Sequence, residues 1–220
     1  MNKRPKIAFF DLDLTLLEVN SATLWVKSEY REGRLSHWQL LRAFYWLSLY
    51  HLGASRLEDA LKAAIHTLKG QAEKEFTARV DLFYKTQVAH RIRPGALEII
   101  HEHQNQGDLC YLMTNASAPL TALFMKALRF DGMLCNHFAV EEGLLTGEVE
   151  GELCFGEGKL VQAIKLLSEK GQDLKNCYFY TDSFSDLPLL SKVGYPRVVH
   201  PDRKLKKVAI KNGWPILSWS

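Results

Sequence analysis

Short apolar runs that each stop at a group of side-chain oxygens constrain this chain more than any other feature. Lys6 to Phe10 runs into Asp11 and Asp13, Leu109 to Met113 into Thr114 and Asn115, and Cys177 to Tyr180 into Asp182 and Asp186. Such runs, apolar without alternation, fit strands covered on both faces, as in parallel sheets. Arg197 to Val199 reads as a fourth short strand. Helical stretches separate them: one opened by Arg93-Pro94-Gly95 and closed at Gln106-Gly107, one from Pro119, then Lys159 to Leu167, Asp186 to Leu190 and Arg203 to Lys211. Phe138 to Val140 and Leu144 to Val149, with breakers at Gly143 and Gly147, read as short strands or a hairpin. Strands alternating with helices give an α/β fold with a Rossmann-like parallel sheet. Ligands of open parallel sheets bind beyond the carboxyl ends of the strands, where the oxygen-bearing residues fall.

One stretch breaks the alternation. From about Asn20 to Ala89 only helical signals occur, including a capping box at Ser55 and Glu58 and a candidate N-cap at Ser36. This predicts a core of residues 1–17 and 92–220 with an inserted all-helical subdomain at 18–91. The 220 residues suffice for a core that needs no disulfide or metal to fold. A net charge of +3 gives no case for nucleic acid, which requires bases gathered on one surface. Cys110, Cys135, Cys154 and Cys177 are spread singly, without metal-ligand or redox spacing, and read as buried structural thiols; the histidines, His101 and His103 among them, also read as structural. The first apolar run meets Asp11 after Phe10, too early for an export signal, so a cytoplasmic protein is expected.

Acids gathered at strand ends repel one another unless a cation neutralises them, and an all-oxygen ligand set suits Mg²⁺. The same acids could instead cap loops and helices, and Lys159 could be a solvated lysine at a helix start. The motifs carry a resemblance as well. Phe10-Asp11-Leu12-Asp13-Leu14-Thr15-Leu16 resembles the first motif of the haloacid dehalogenase superfamily, and Leu112-Met113-Thr114-Asn115 its second. Lys159 in Gly156-Glu157-Gly158-Lys159 resembles the third, and Asp182-Ser183-Phe184-Ser185-Asp186 the fourth. All four occur in order, and the insertion after the first is similar to the C1-type cap of subfamily IB, the phosphoserine-phosphatase-like branch.

The resemblance implies a Mg²⁺-dependent phosphomonoesterase acting on a small organic phosphate. Asp11 would be the nucleophile, giving an aspartyl-phosphate, and Asp13 the general acid and base. Asp11, the Asp13 carbonyl and Asp182 would hold the metal. Thr114, Asn115 and Lys159 would bind the phosphoryl group, with Thr15 fixing the first loop and Asp186 orienting Lys159 or a metal-bound water. Leu14 departs from the small or amide residue familiar at its place. Phosphoserine phosphatases of this branch read the substrate amine with a glutamate that by counting is Asn20 here, with Glu18 nearby, which argues against phosphoserine.

Residues 37–53 are apolar around most of a helix, but at ~1.5 Å per residue they span only ~25 Å, short of a ~30 Å bilayer core. A buried cap helix or dimer contact is one reading, and contact with a lipid substrate or bilayer surface is another; the basic run Arg203, Lys204, Lys206, Lys207 and Lys211 would then favour an anionic surface, or is instead a solvated helix face with Leu205, Val208 and Ala209 inward. A lipid phosphate of the phosphatidylglycerophosphate kind is therefore an alternative substrate. A non-enzymatic phospho-accepting module is an alternative of a different class.

Overall fold

Ile7–Phe10 (β1) is buried at every position, which places it where both faces of a sheet are covered. In the computed structural model, which describes residues 5–38, 41 and 56–219, it is the centre of a six-stranded sheet. The other strands are Leu109–Ser117 (β2), Gly132–Asn136 (β3), Cys177–Thr181 (β6), Tyr195–Val199 (β7) and Ile216–Leu217 (β8), in the order β3-β2-β1-β6-β7-β8. Every neighbouring pair is parallel, with Phe10 opposite Leu112 on one side and Tyr180 on the other.

Alternate residues of β1 feed two apolar layers. Ala8 and Phe10 pack with Phe76, Val80 and Phe83 of Glu73–Phe83 (α3), with Ile100 of Pro94–Asn105 (α4) and with Phe124 of Ala118–Leu128 (α5). Ile7 and Phe9 pack with Ala163 and Leu167 of Glu157–Lys170 (α6), with Leu189 of Leu187–Leu190 (α7) and with Leu205 and Ala209 of Arg203–Asn212 (α8). Helices on both faces make this the expected α/β architecture. The four cysteines are free and buried.

The stretch between β1 and α4 is helical where described: Ser21–Arg31 (α1), Arg56–His66 (α2) and α3. Two crossing segments join it to the sheet side by side. Leu17 bridges Ile92, Glu18 N–H donates to Arg91 O at 3.0 Å, and Arg93 N–H donates to Leu16 O at 2.9 Å. The expected hairpin forms from Phe138–Glu141 (β4) and Leu144–Val149 (β5), and Gly70 and Gln71 bond to Leu145 along its edge. Most of the apolar run 37–53 lies outside the described residues, as does Ser55 of the expected capping box. Among the described residues no helix is long and apolar enough to cross a membrane.

Three points differ from the sequence reading. β3 and β8 were not anticipated: β8 has two residues, and β3 opens on Gly132, which packs so closely on the Tyr111 ring that a Cβ there would lie 2.5 Å from it. Thr114 and Asn115 fall within β2 rather than after it, where the β2/β3 register shifts between Met113 and Ser117. A ladder irregularity of this kind re-aims side chains without ending the strand.

Candidate active site

Chain order along β1, β2 and β3 runs outward to one edge and then returns past β1 to β6, so the crevice between the ends of β1 and β6 is the topological switch point. Asp11 N–H donates to Tyr180 O at 2.9 Å, extending the ladder by one residue before the chain turns away. Leu12 to Leu16 then form a wide turn closed by Leu17 N–H on Leu12 O, with Asp13 extended and Leu14 left-handed at φ 60°. A branched side chain costs energy in that conformation, which explains why a small or amide residue suits the place better. The buried side chains of Leu12, Thr15 and Leu16 hold the turn regardless.

Lys159 lies at the start of α6 and is 3% exposed, so the solvated reading of this residue does not hold. Its Nζ donates to Asp11 Oδ1 at 2.7 Å and to Asp186 Oδ2 at 2.8 Å. It reaches them because α6 begins hard against the preceding loop: a Cβ on Gly158 would lie 1.8 Å from Leu153 O, so only glycine fits beside Lys159. Asp186 Oδ2 also accepts from Thr181 Oγ1 at 2.6 Å. Thr15 Oγ1 lies 3.3 Å from Asp11 Oδ2 and 3.2 Å from Asp182 Oδ1, tying the two strand ends together. Asp13 turns towards α1, where its carboxylate accepts from Ser21 N–H at 2.8 Å and Ser21 Oγ at 3.0 Å.

Two carboxylates thus bond one ammonium, and Asp13 and Asp182 feel its charge through space. Burial, the largest influence, pushes the Asp11 carboxyl up to about 7; Lys159 opposes this, while Asp186 and Asp13 add repulsion. Burial, then the charges of Asp11 and Asp186, hold Asp182 well above the usual carboxylate range. Burial also raises Asp13 against its bonds from Ser21. Burial works against the Lys159 ammonium, but Asp11 and Asp186 outweigh it and keep the lysine charged. Among the described residues no three His, Cys, Asp or Glu side chains converge at metal-binding distance, so the convergence of three or four carboxylates expected from sequence is corrected. Asp13 is drawn off by Ser21 and Asp186 by Lys159 and Thr181, which leaves Asp11 and Asp182 facing each other across Thr15.

A small crevice of about 20 Å³ opens among these groups, lined by Asp11, Asp13, Asn115, Lys159 and Asp186 together with Leu14, Asn20, Phe155, Ser183 and Ser185. Asp182, Thr15 and Thr114 do not line it. Thr114 is fully buried, its hydroxyl accepting from Ala116 N–H at 3.2 Å. Asn20 Oδ1 caps α1, accepting from Thr23 N–H and Oγ1, and Glu18 pairs with Arg91 instead of facing the crevice. Sequence reasoning missed Ser21, Thr181 and Asn136. Asn136 is buried and donates to Asn115 O at 2.7 Å while accepting from Cys154 N–H at 2.8 Å, which fixes the end of β2 to the loop before α6. A lone Asn between two short strands carries no sequence signal for that role.

The site is thus a buried carboxylate–lysine–carboxylate cluster at the switch point of an open parallel α/β sheet. The chain belongs to the haloacid dehalogenase-like hydrolases, whose family model matches residues 8–191, and it is a phosphatase of that family. It is 30% identical over 216 residues to a probable phosphatase of Mycobacterium tuberculosis, covering 97% of this chain and 75% of the relative. It is 26% identical to a histidinol-phosphatase of Neisseria meningitidis, covering 97% and 98%. Its fold matches the crystal structure of a protein of unknown function from Bordetella pertussis with a TM-score of 0.89 at 28% identity, covering 99% and 100% of the two chains. It also matches a phosphoserine phosphatase solved as a phospho-aspartyl intermediate analogue, with a TM-score of 0.74 at 20% identity over 99% and 95%.

Proposed function

We propose that the chain hydrolyses a small organic phosphate monoester through a phosphoryl group carried on Asp11. The observation that carries this reading is the buried Lys159, bonded at once to Asp11 and Asp186 beside a lined crevice. Lys159 holds phosphoryl oxygens next to the attacking carboxylate and offsets their charge as the transition state forms. Asp11 attacks phosphorus in line and the ester oxygen leaves. Asp13, its pKa raised by burial and its orientation fixed by Ser21, gives a proton to that oxygen and later takes one from the water that releases phosphate. Asn115 lines the crevice and supplies polar contact to the phosphate, Thr114 supports the end of β2 beside it, and Thr15 and Asp186 position Asp11 and Lys159.

The donor set fits Mg²⁺: two facing carboxylates, Asp11 and Asp182, with surplus negative charge, are what that ion takes alongside water and phosphate oxygens. Asp11, Asp182 and the Asp13 carbonyl would hold it, and it would supply neutralisation of charge between nucleophile and phosphate. Residues 1–17 and 92–220 then form the catalytic core and 18–91 the cap, a division supported by the paired crossings at Leu17 and Ile92.

A lipid phosphate is the second reading, favoured by Trp38 and Leu41, which are 81% and 60% exposed at the start of the apolar run. A phospho-accepting module without turnover has no use for a second carboxylate, Asp13, lining the crevice. A phosphate-release panel with Mg²⁺, without detergent, and with Asp11→Asn as control tests the proposal. Turnover of soluble monoesters that Asp11→Asn abolishes supports it, turnover confined to lipid phosphates favours the second reading, and full rate in Asp11→Asn refutes the mechanism.

A further inference from the structure

The outer face of α8 (Arg203–Asn212) is charged in a way that works against the helix itself. Leu205 and Ala209 are buried against the sheet, so Arg203, Lys206, Lys207, Ile210 and Lys211 look outward, and all five are exposed. Arg203 and Lys207, and Lys207 and Lys211, are like-charge pairs four residues apart, which weaken a helix. Arg203 and Lys204 also occupy the first turn, where the helix dipole disfavours cations, and no acid is present there. Asp202, the N-cap, offsets part of this: its Oδ1 accepts from Lys204 and Leu205 N–H and its Oδ2 from Phe184 N–H. Among the described residues no carboxylate pairs with these outward cations. Lys204 alone leans back, over the Phe184 ring.

Amid this positive face stands Ile210, 65% exposed, three residues from Lys207 and four from Lys206. Single exposed apolar residues are ordinary on a protein surface, as at Leu82 and Ile164; Ile210 is distinguished by standing amid these cations. Phosphate polyanions reward the cations but not the apolar tip, whereas the interface of an anionic bilayer rewards both. We propose that the outer face of α8 docks this protein on an anionic lipid surface, with Ile210 entering the headgroup boundary and Arg203, Lys206, Lys207 and Lys211 meeting lipid phosphates. Each basic residue held near such a surface raises partitioning about fivefold, so removal of two lowers it more than tenfold.

Flotation of the full chain with phosphatidylglycerol/phosphatidylcholine vesicles, and with phosphatidylcholine alone, tests this. Binding only to the anionic vesicles, released by salt as screened charges require, is expected. Lys206→Glu/Lys207→Glu and the milder Lys206→Gln/Lys207→Gln should each lose it by more than tenfold with a melting temperature that is equal or higher, since the like-charge pairs are relieved, and Ile210→Ser should weaken it severalfold. Equal binding to both vesicle types, binding that survives both double variants, or loss only in Trp38→Ser overturns the proposal. Absence of vesicle binding alongside tight duplex DNA binding that Ile210→Ser leaves untouched assigns the face to a polyanion and overturns it as well.

Discussion

Replacing Lys159 with Met probes the buried charge cluster directly, because Met keeps most of the side-chain length and removes only the ammonium. Lys159 serves two carboxylates, at 2.7 and 2.8 Å, in a position 3% exposed. Breaking a buried ion pair from one side costs about 3–5 kcal/mol, since the stranded charge keeps its desolvation penalty. With two carboxylates stranded, the upper half of that range is expected. For a chain of this size about 2–4 °C of melting temperature accompanies each kcal/mol, so a fall of ~8–20 °C should appear in metal-free protein at pH 8. The deficit should shrink at pH 5.5, because Asp11, already raised to about 7 with the lysine present, rises further without it and protonates. Lys159→Met/Asp186→Asn should recover part of the stability by removing one stranded charge. Thermal unfolding of the three proteins at both pH values measures this. A loss under about 1 kcal/mol at pH 8, or one independent of pH, refutes the reasoning that Lys159 is the counter-charge of the cluster.

Two further outcomes follow from the same geometry. Asn20→Asp keeps the cap on Thr23, as Asp and Asn cap equally well, but puts an anionic oxygen beside the crevice. The kcat/KM ratio for an ammonium-bearing phosphate over a polyol phosphate should rise about tenfold or more, and an unchanged ratio removes Asn20 from substrate selection. In metal-free protein, Asp11, Asp13 and Asp182 have folded pKa values above the 3.8 of the free side chain. The folded state therefore binds more protons than the unfolded one in that window, and their contribution to stability is full below 3.8 and lost as pH rises through the raised values. Mg²⁺ should accordingly raise the melting temperature more at pH 8 than at pH 5.5, and a larger gain at pH 5.5 contradicts the placement of the ion at Asp11 and Asp182.

Much of this arrangement was legible because the signals were local. β1, β2 and β6 announce themselves as apolar runs, and the acids after β1 and β6 follow from the direction of the strands, whereas Thr114 and Asn115 lie within β2. Lys159 was legible as a residue of interest, yet the two hydrogen bonds it donates, to Asp186 and Asp11, depend on residues 27 and 148 positions away. The separation of the carboxylates was hidden for the same reason: Ser21 draws Asp13 aside, and Thr181 with Lys159 claims Asp186. Asn136 became visible only when β3 was placed, and β3 was hidden by a glycine whose use is to admit the Tyr111 ring. The basic run at 203–211 was plain in the sequence, but the isoleucine exposed within it required the orientation that Leu205 and Ala209 impose.

Phosphoryl transfer to Asp11 is the claim on which the rest depends, and a rapid acid quench of the Asp13→Asn variant with a radiolabelled aryl phosphate, whose leaving oxygen departs without the proton that Asp13 would give, tests it most directly. Loss of the group that activates water should leave labelled protein at close to one phosphoryl group per chain, released by hydroxylamine and mapped to the peptide containing Asp11. No label on that peptide, or the same label in Asp11→Asn, contradicts the account.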